Sequence, residues 1–311
     1  MSNRVAVVQK PPVLLDRQAT IDSVIASIAE AADAGALLVV FPEAYIPGYP
    51  AWIWRLRPGG DIALSSDLHA LLRSNAVNLD RGDLRPVQET AAKQCATVVI
   101  GINEIDSEFS GTTLFNSVVT IGPDGTILNR HRKLMPTNPE RMVWGMGDGS
   151  GLKVVETTAG RIGALICWEN YMPLARYALY AQGIDIYVAP TWDYGDSWLT
   201  TMRHIAKEGG CWVIGTATAL QEDDLPSSFP ARSLFQSGEW INDGDAVVIR
   251  PSGAIEAGPL NRKKGILYAE IEIEAARRAR RSLDVCGHYS RPDIFSLTVD
   301  RGQKKPALFT S

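Results

Sequence analysis

Eight short runs rich in valine and isoleucine recur along the chain, at 4–9 (RVAVVQ), 36–41 (ALLVVF), 96–102 (ATVVIGI), 117–122 (SVVTIG), 161–167 (RIGALIC), 184–190 (IDIYVAP), 211–217 (CWVIGTA) and 245–251 (DAVVIRP). Runs of this length and composition read as buried strands. Between them the apolar period changes from strand-like to helical. From Asp16 to Ala34 the residues Ile21, Val24, Ile25, Ile28 and Ala32 share one helical face, and Pro173 to Gln182 and Ser197 to Glu208 also read as helices. Strands and helices interleaved in this way imply an α/β layered fold. Turn signals at 122–126 (GPDGT), 157–161 (TTAGR) and 251–255 (PSGAI) place hairpins among the strands, so a mixed rather than a purely parallel sheet is expected. No repeat, low-complexity tract or long linker divides the chain, which reads as one domain over residues 1–311.

Charge and cysteine usage exclude several classes of function. Lysine and arginine number 31 against 35 aspartate and glutamate, a net charge of -4, so no polyanion such as nucleic acid is an expected partner. No apolar run approaches the roughly 18 to 20 residues needed to cross a bilayer, and MSNRVAVVQK is too polar for a secretory signal. A cytoplasmic protein with no membrane partner is the expectation. Cysteines stand only at 95, 167, 211 and 286, without a CxxC pair, so neither a zinc site nor a disulfide framework is indicated.

Three reactive side chains stand just after apolar runs: Glu43 in VVFPEAYIPGYP, Lys133 in ILNRHRKLMPT and Cys167 in GALICWEN. Loops at strand ends are where α/β sheets assemble ligand sites. Each residue also has a plain structural reading, Cys167 as a small core hydrophobe, Glu43 as a cap or surface carboxylate, and Lys133 as a solvated loop charge. Chemistry distinguishes the readings. A lysine ammonium biases a nearby thiol toward thiolate, and a carboxylate can accept its proton, so the three together make a nucleophile, a base and an electrostatic stabiliser.

The surroundings of these residues, FPEAYIPGYP, HRKLMPTNPER and ICWENYMPLAR, resemble those of the Glu-Lys-Cys triad of the nitrilase superfamily, and specifically of its nitrilase branch. The likeness runs in order from VAVVQ to GHYSRPDIF at 287–295. It implies a four-layer αββα sandwich with mixed sheets, residues 287–311 forming a C-terminal extension, and homo-oligomers built from dimers. It also implies Cys167 as nucleophile, Glu43 as general base and Lys133 as stabiliser of tetrahedral intermediates. Glu140, in TNPERMVWG, matches the additional glutamate of the family, thought to position substrate or transfer protons, although in a polar loop it could equally cap a helix. No metal or organic cofactor is implied. The implied reaction turns an organic nitrile and water into acid and ammonia through a thioimidate and a thioester on Cys167. An amidase, or a nitrile or cyanide hydratase that releases amide, is the alternative within the superfamily. A non-catalytic assembly protein is the alternative outside it, and retention of all four polar residues argues against that.

Other features read as structural. GMGDGSG at 145–151 lacks the strand before it and the helix after it that a nucleotide loop needs. His131 shares a strand face with Lys133, which leaves a cysteine-histidine pair open beside a structural histidine. His288 reads as a packing or interface residue. RRARR at 277–281 reads as a solvated or subunit-contact face. The aromatics cluster near the catalytic motifs, and Tyr49, Trp52, Trp168, Trp192 and Tyr194 are the expected apolar wall of the substrate pocket. Such a wall favours aromatic or arylaliphatic nitriles over acetonitrile.

Overall fold

The structure is a computed structural model that describes residues 2–106, 111–305 and 307, so residues 306 and 308–311 of the expected C-terminal extension lie outside the described residues. In chain order the elements are β1 (Asn3–Val8), α1 (Arg17–Asp33), β2 (Ala36–Val40), α2 (Ile62–Ser74), α3 (Arg85–Gln94), β3 (Thr97–Ile105), β4 (Leu114–Ile121), β5 (Ile127–Arg132), β6 (Val155–Thr157) and β7 (Gly160–Ala164). There follow α4 (Pro173–Tyr180), β8 (Ile186–Pro190), α5 (Asp196–Gly209), β9 (Trp212–Thr216), β10 (Ala219–Gln221), β11 (Trp240–Ile249), β12 (Ile255–Asn261), β13 (Ile266–Ile271) and α6 (Ile273–Ser282). All eight apolar runs contain a strand.

The strands form two sheets, ordered β13-β1-β2-β3-β4-β5 and β10-β11-β9-β8-β7-β6, with β12 paired to β11. Parallel pairing joins β1, β2 and β3 in the first sheet and β7, β8 and β9 in the second. The GPDGT, TTAGR and PSGAI turns close the antiparallel β4–β5, β6–β7 and β11–β12 pairs, as the mixed-sheet reading requires.

Alternation along each strand builds the layers. Val5, Val7, Leu38 and Val40 of the first sheet pack with Ile162, Ile186, Val188 and Ile214 of the second, forming the core between sheets. Their neighbours Ala6, Val8 and Val39 pack on Ile21, Val24 and Ile28 of α1 and Val87 of α3. On the far side Tyr187, Ala189 and Val213 pack on Leu179 of α4 and Trp198, Met202 and Ile205 of α5. The order helix, sheet, sheet, helix is the four-layer αββα sandwich. Each fully buried Val, Ile or Leu side chain contributes about 1.5–3 kcal/mol, so both sheets depend on all three cores.

Local signals account for the boundaries. Asp16 caps α1 by accepting from the Ala19 N–H at 2.9 Å. The buried face of α1 is Ile21, Val24, Ile28 and Ala31; Ile25 and the expected Ala32 are only half-buried, because the stripe drifts with the 3.6-residue turn. On α6 the arginines divide: Arg280 reaches in to Asp185 Oδ1 at 2.9 Å, while Arg277 and Arg278 pair at the surface with Glu274 and Glu272. After α6 the chain runs back along the second sheet's helical layer, with Val285, Cys286 and Val299 packed against it, and the Lys304 N–H donates to Asp148 Oδ2 at 2.7 Å.

Candidate active site

Three strand ends meet at one edge of the sandwich. Glu43 lies three residues beyond β2, Lys133 directly follows β5, and Cys167 lies three residues beyond β7, so the first sheet supplies two of these groups and the second supplies one. A Cβ on Gly101 of β3 would sit 2.2 Å from the Pro42 carbonyl oxygen and 2.8 Å from Glu43 Cα. Glycine there lets the Glu43 turn lie directly on the sheet. Gly147, in the GMGDGSG segment, has a similar function: its Cβ would meet the Arg132 carbonyl oxygen at 2.2 Å, and its N–H donates to the Lys133 carbonyl at 2.8 Å. Those glycines serve close backbone approach.

Cys167 opens a single 3-10 turn over Cys167–Tyr171 and has φ +52°, a left-handed conformation that costs a non-glycine residue roughly 1–2 kcal/mol. Its neighbours hold the turn. Glu169 accepts from the Ile166 N–H and the Leu134 N–H, both at 2.7 Å, and contacts His131 Nε2 at 3.0 Å. Asn170 Nδ2 donates to the Cys167 carbonyl at 2.6 Å, and Tyr187 OH donates to Asn170 Oδ1 at 2.7 Å. Glu169 therefore ties the residue before the nucleophile to the residue after Lys133. The turn also leaves the Trp168 N–H without an acceptor inside it, since its first internal bond is made by the Glu169 N–H to the Ile166 carbonyl.

The buried charges form one network. Lys133 Nζ donates to Glu43 Oε1 at 2.8 Å and to Glu140 Oε2 at 2.7 Å. Asn116 Nδ2 donates to the same Glu43 oxygen at 2.6 Å, while Glu43 Oε2 has no hydrogen-bond partner among the described residues. Glu140 accepts from the Thr137 N–H and from Tyr49 OH, both at 2.7 Å. It thus caps its own 3-10 turn and joins the network, so the capping and functional readings are compatible.

Burial and charge set the proton affinities. Burial pushes the Glu43 carboxyl up to about 7, against the opposing pull of Lys133. The Cys167 thiol is also pushed up, first by burial and then by Glu43, with Lys133 pulling the other way. The expected pull of Lys133 toward thiolate is present but is outweighed, first by burial and then by the Glu43 and Glu140 carboxylates. The Lys133 ammonium is held above its ordinary value by Cys167, Glu43 and Glu140 in spite of its burial. Burial thus favours the neutral form of the thiol and makes Glu43 a stronger base than an exposed glutamate. With Glu43 as the expected general base, kcat/KM is expected to fall as pH drops through about 7, and a pH profile with Glu43→Gln as the control checks it.

A cavity of about 190 Å³ opens onto this network, lined by Cys167, Glu140, Thr137, Tyr49, Trp54, Trp168, Trp192, Asp193 and Tyr194. It is smaller than the roughly 300–1,000 Å³ typical of drug-sized sites, so its ligand is small. Tyr49 and Trp192 stack with ring centres 4.2 Å apart. Of the five expected wall residues, Trp52 does not line the cavity. It is buried against Phe229, because the 3-10 turn Ala51–Trp54 turns it inward and Trp54 takes the wall position. Asn116, Thr137, Glu169, Asn170 and Asp193 were not singled out in the sequence, although Asn116 is a polar residue in the fully buried β4 and Glu169 and Asn170 adjoin the nucleophile.

His131 is occupied by Glu169, which leaves the cysteine-histidine pair without support. His288 is exposed and meets Tyr289 edge-on. Cys95, Cys211 and Cys286 do not line the cavity, and a larger open groove of about 600 Å³ at Trp212, Arg250 and Arg278 contains no cysteine. Among the described residues no group of three or more His, Cys, Asp or Glu side chains is arranged to hold a metal ion, and no helix is long and apolar enough to cross a membrane.

Known proteins share both the sequence and the fold. The carbon-nitrogen hydrolase family model matches residues 4–281. An aliphatic nitrilase of Sinorhizobium fredii is 41% identical over 306 residues, covering 98% of each chain. A bifunctional nitrilase/nitrile hydratase of Lupinus angustifolius is 40% identical over 316 residues, covering 99% of this chain and 89% of its own. A crystal structure of a carbon-nitrogen hydrolase from Helicobacter pylori superposes with a TM-score of 0.71 at 21% identity, covering 94% of this chain and 97% of the other, and so shares the fold. The chain belongs to the carbon-nitrogen hydrolase family, the nitrilase superfamily, and within it to the nitrilase branch.

Proposed function

We propose that the protein is a nitrilase, hydrolysing a small organic nitrile to the carboxylic acid and ammonia without a metal or organic cofactor. The observation that carries the reading is the buried Lys133 ammonium bridging Glu43 and Glu140 beside a cysteine that opens onto a small cavity. Glu43 Oε2, the free carboxylate oxygen, accepts the thiol proton as the Cys167 sulfur adds to the nitrile carbon. The nitrogen takes up that proton, giving a thioimidate. Water adds to the thioimidate and ammonia leaves, giving a thioester. A second water releases the acid and returns the proton to sulfur. Lys133 and the Trp168 N–H stabilise the negative charge that develops at each addition, an effect worth about 3–4 kcal/mol per donor. Glu140, fixed by Tyr49 and Thr137, orients the waters and assists proton transfer to departing ammonia.

The aromatic wall supports arylaliphatic or aromatic nitriles over acetonitrile, since each Å² of apolar substrate surface buried contributes about 25 cal/mol. The test is a panel of benzonitrile, phenylacetonitrile, a medium-chain aliphatic nitrile, acetonitrile and the corresponding amides, with ammonia, amide and acid all quantified. Acid with equimolar ammonia from a nitrile is the expected result; hydrolysis of amides alone would overturn the reading. Amide as a major product is the second reading, favoured by the likeness to the bifunctional Lupinus angustifolius protein. Assembly into homo-oligomers built from dimers completes the proposal. It is supported by apolar side chains left exposed at Leu174 of α4 and at Tyr289, Ile294 and Phe295.

A further inference from the structure

Asp193 stands three residues beyond β8 and lines the same cavity as Cys167. Its partners are neutral donors: Oδ2 accepts from Trp168 Nε1 at 2.9 Å and from Tyr171 OH at 3.3 Å, and Oδ1 from the Tyr194 N–H at 2.9 Å. Among the described residues no cation forms a salt bridge with it, whereas Glu140 deeper in the cavity shares Lys133 with Glu43. Among the described residues no lysine or arginine lines the cavity, which Asp193 shares with Trp54, Trp168, Trp192 and Tyr194. Aromatic faces carry the negative end of their quadrupole, so they attract cations and repel anions. The Asp193 carboxylate is thus the charge at the aromatic rim of the cavity, with no cation lining it to offset its sign. Asp193 is only half-buried, so its field is screened in part by solvent but not cancelled.

We propose that Asp193 sets a charge filter at this site, admitting nitriles that are neutral or cationic away from the reacting carbon and rejecting those that carry a carboxylate. The inference rests on the nitrilase reading for the identity of the substrate, but the filter itself is a property of the cavity. It also favours product release. A neutral nitrile enters, and the carboxylate product forms in surroundings that repel it.

The test compares three phenylacetonitriles of equal size, bearing para aminomethyl, methyl and carboxylate groups. The readout is kcat/KM for each in the unaltered protein and in Asp193→Asn, which retains a carbonyl acceptor for Trp168 Nε1. In the unaltered protein the cationic substrate is expected to exceed the anionic one by ten-fold or more. In the variant that ratio is expected to fall about ten-fold, the lost attraction of the cation and the lost repulsion of the anion together across a partly solvated pocket. A parallel labelling experiment needs no turnover. Cationic and anionic methanethiosulfonates of matched size are reacted with the protein, and modification of the Cys167 peptide is measured by mass, with the exposed Cys95 as internal reference. The cationic-to-anionic ratio at Cys167, relative to Cys95, is expected to exceed one and to fall in Asp193→Asn. Equal ratios in the two proteins, in either assay, would overturn the filter while leaving the nitrilase reading intact. If no nitrile is turned over but the labelling ratio changes with Asp193, the filter stands and the nitrilase reading fails.

Discussion

Cys167→Ala is expected to abolish nitrile turnover while the protein stays folded. The substitution removes one sulfur atom at a site that is 4% exposed, and alanine bears the same left-handed φ as cysteine, so no new backbone strain arises. The turn is held by Glu169 and Asn170 through backbone groups, which the substitution leaves in place. The loss therefore falls on chemistry. The hydroxyls among the cavity-lining residues, those of Thr137, Tyr49 and Tyr194, are far weaker nucleophiles than a thiol. Cys95→Ala, Cys211→Ala and Cys286→Ala are expected to retain activity. Ammonia release and a melting curve for each variant check both halves of the expectation, and substantial turnover by Cys167→Ala would remove the nucleophile from the scheme.

Lys133→Ala and Glu43→Gln are each expected to lower the rate at least about a hundred-fold, and their stabilities are expected to differ. Lys133 is fully buried, and its removal leaves the Glu43 and Glu140 carboxylates buried without their common cation. Breaking a buried pair in this way costs about 3–5 kcal/mol, so a clear drop in melting temperature accompanies the lost activity. Glu43 lies on the other side of the balance. Its folded pKa, about 7, is above the ordinary 4.5, so ionising it costs the folded state stability as pH rises from 4.5 through 7. Glutamine removes that cost and leaves Lys133 paired to Glu140, so Glu43→Gln is expected to melt close to the unaltered protein at pH 8. Near-normal rates in either variant would remove that residue from the reaction.

The strands and their hairpin turns were legible because apolar runs and glycine-rich turns act locally. Eight runs located the interior of both sheets, and the strands without such a run, β5, β6, β10, β12 and β13, are short, polar or at sheet edges, where one face needs no apolar residue. Glu43, Lys133, Cys167 and Glu140 were legible from the motifs around them, and the fold brings the first, second and fourth into direct hydrogen bonding. Periodicity could not foresee that Trp54 rather than Trp52 faces the cavity, since a 3-10 turn decides which indole turns inward. The raised proton affinity of the thiol was likewise out of reach. It depends on the sum of three buried charges and the loss of solvent around them, quantities defined only once distant segments have met.

The most direct measurement is peptide mass analysis after acid quenching of the protein during turnover of phenylacetonitrile. A phenylacetyl or phenylacetimidoyl adduct confined to the peptide containing Cys167, absent from Cys167→Ala and accumulating in Lys133→Ala if breakdown is slowed more than formation, is the expected result. Steady release of acid and ammonia with no adduct at Cys167, or with the adduct on Cys95, Cys211 or Cys286, would contradict nucleophilic catalysis by Cys167.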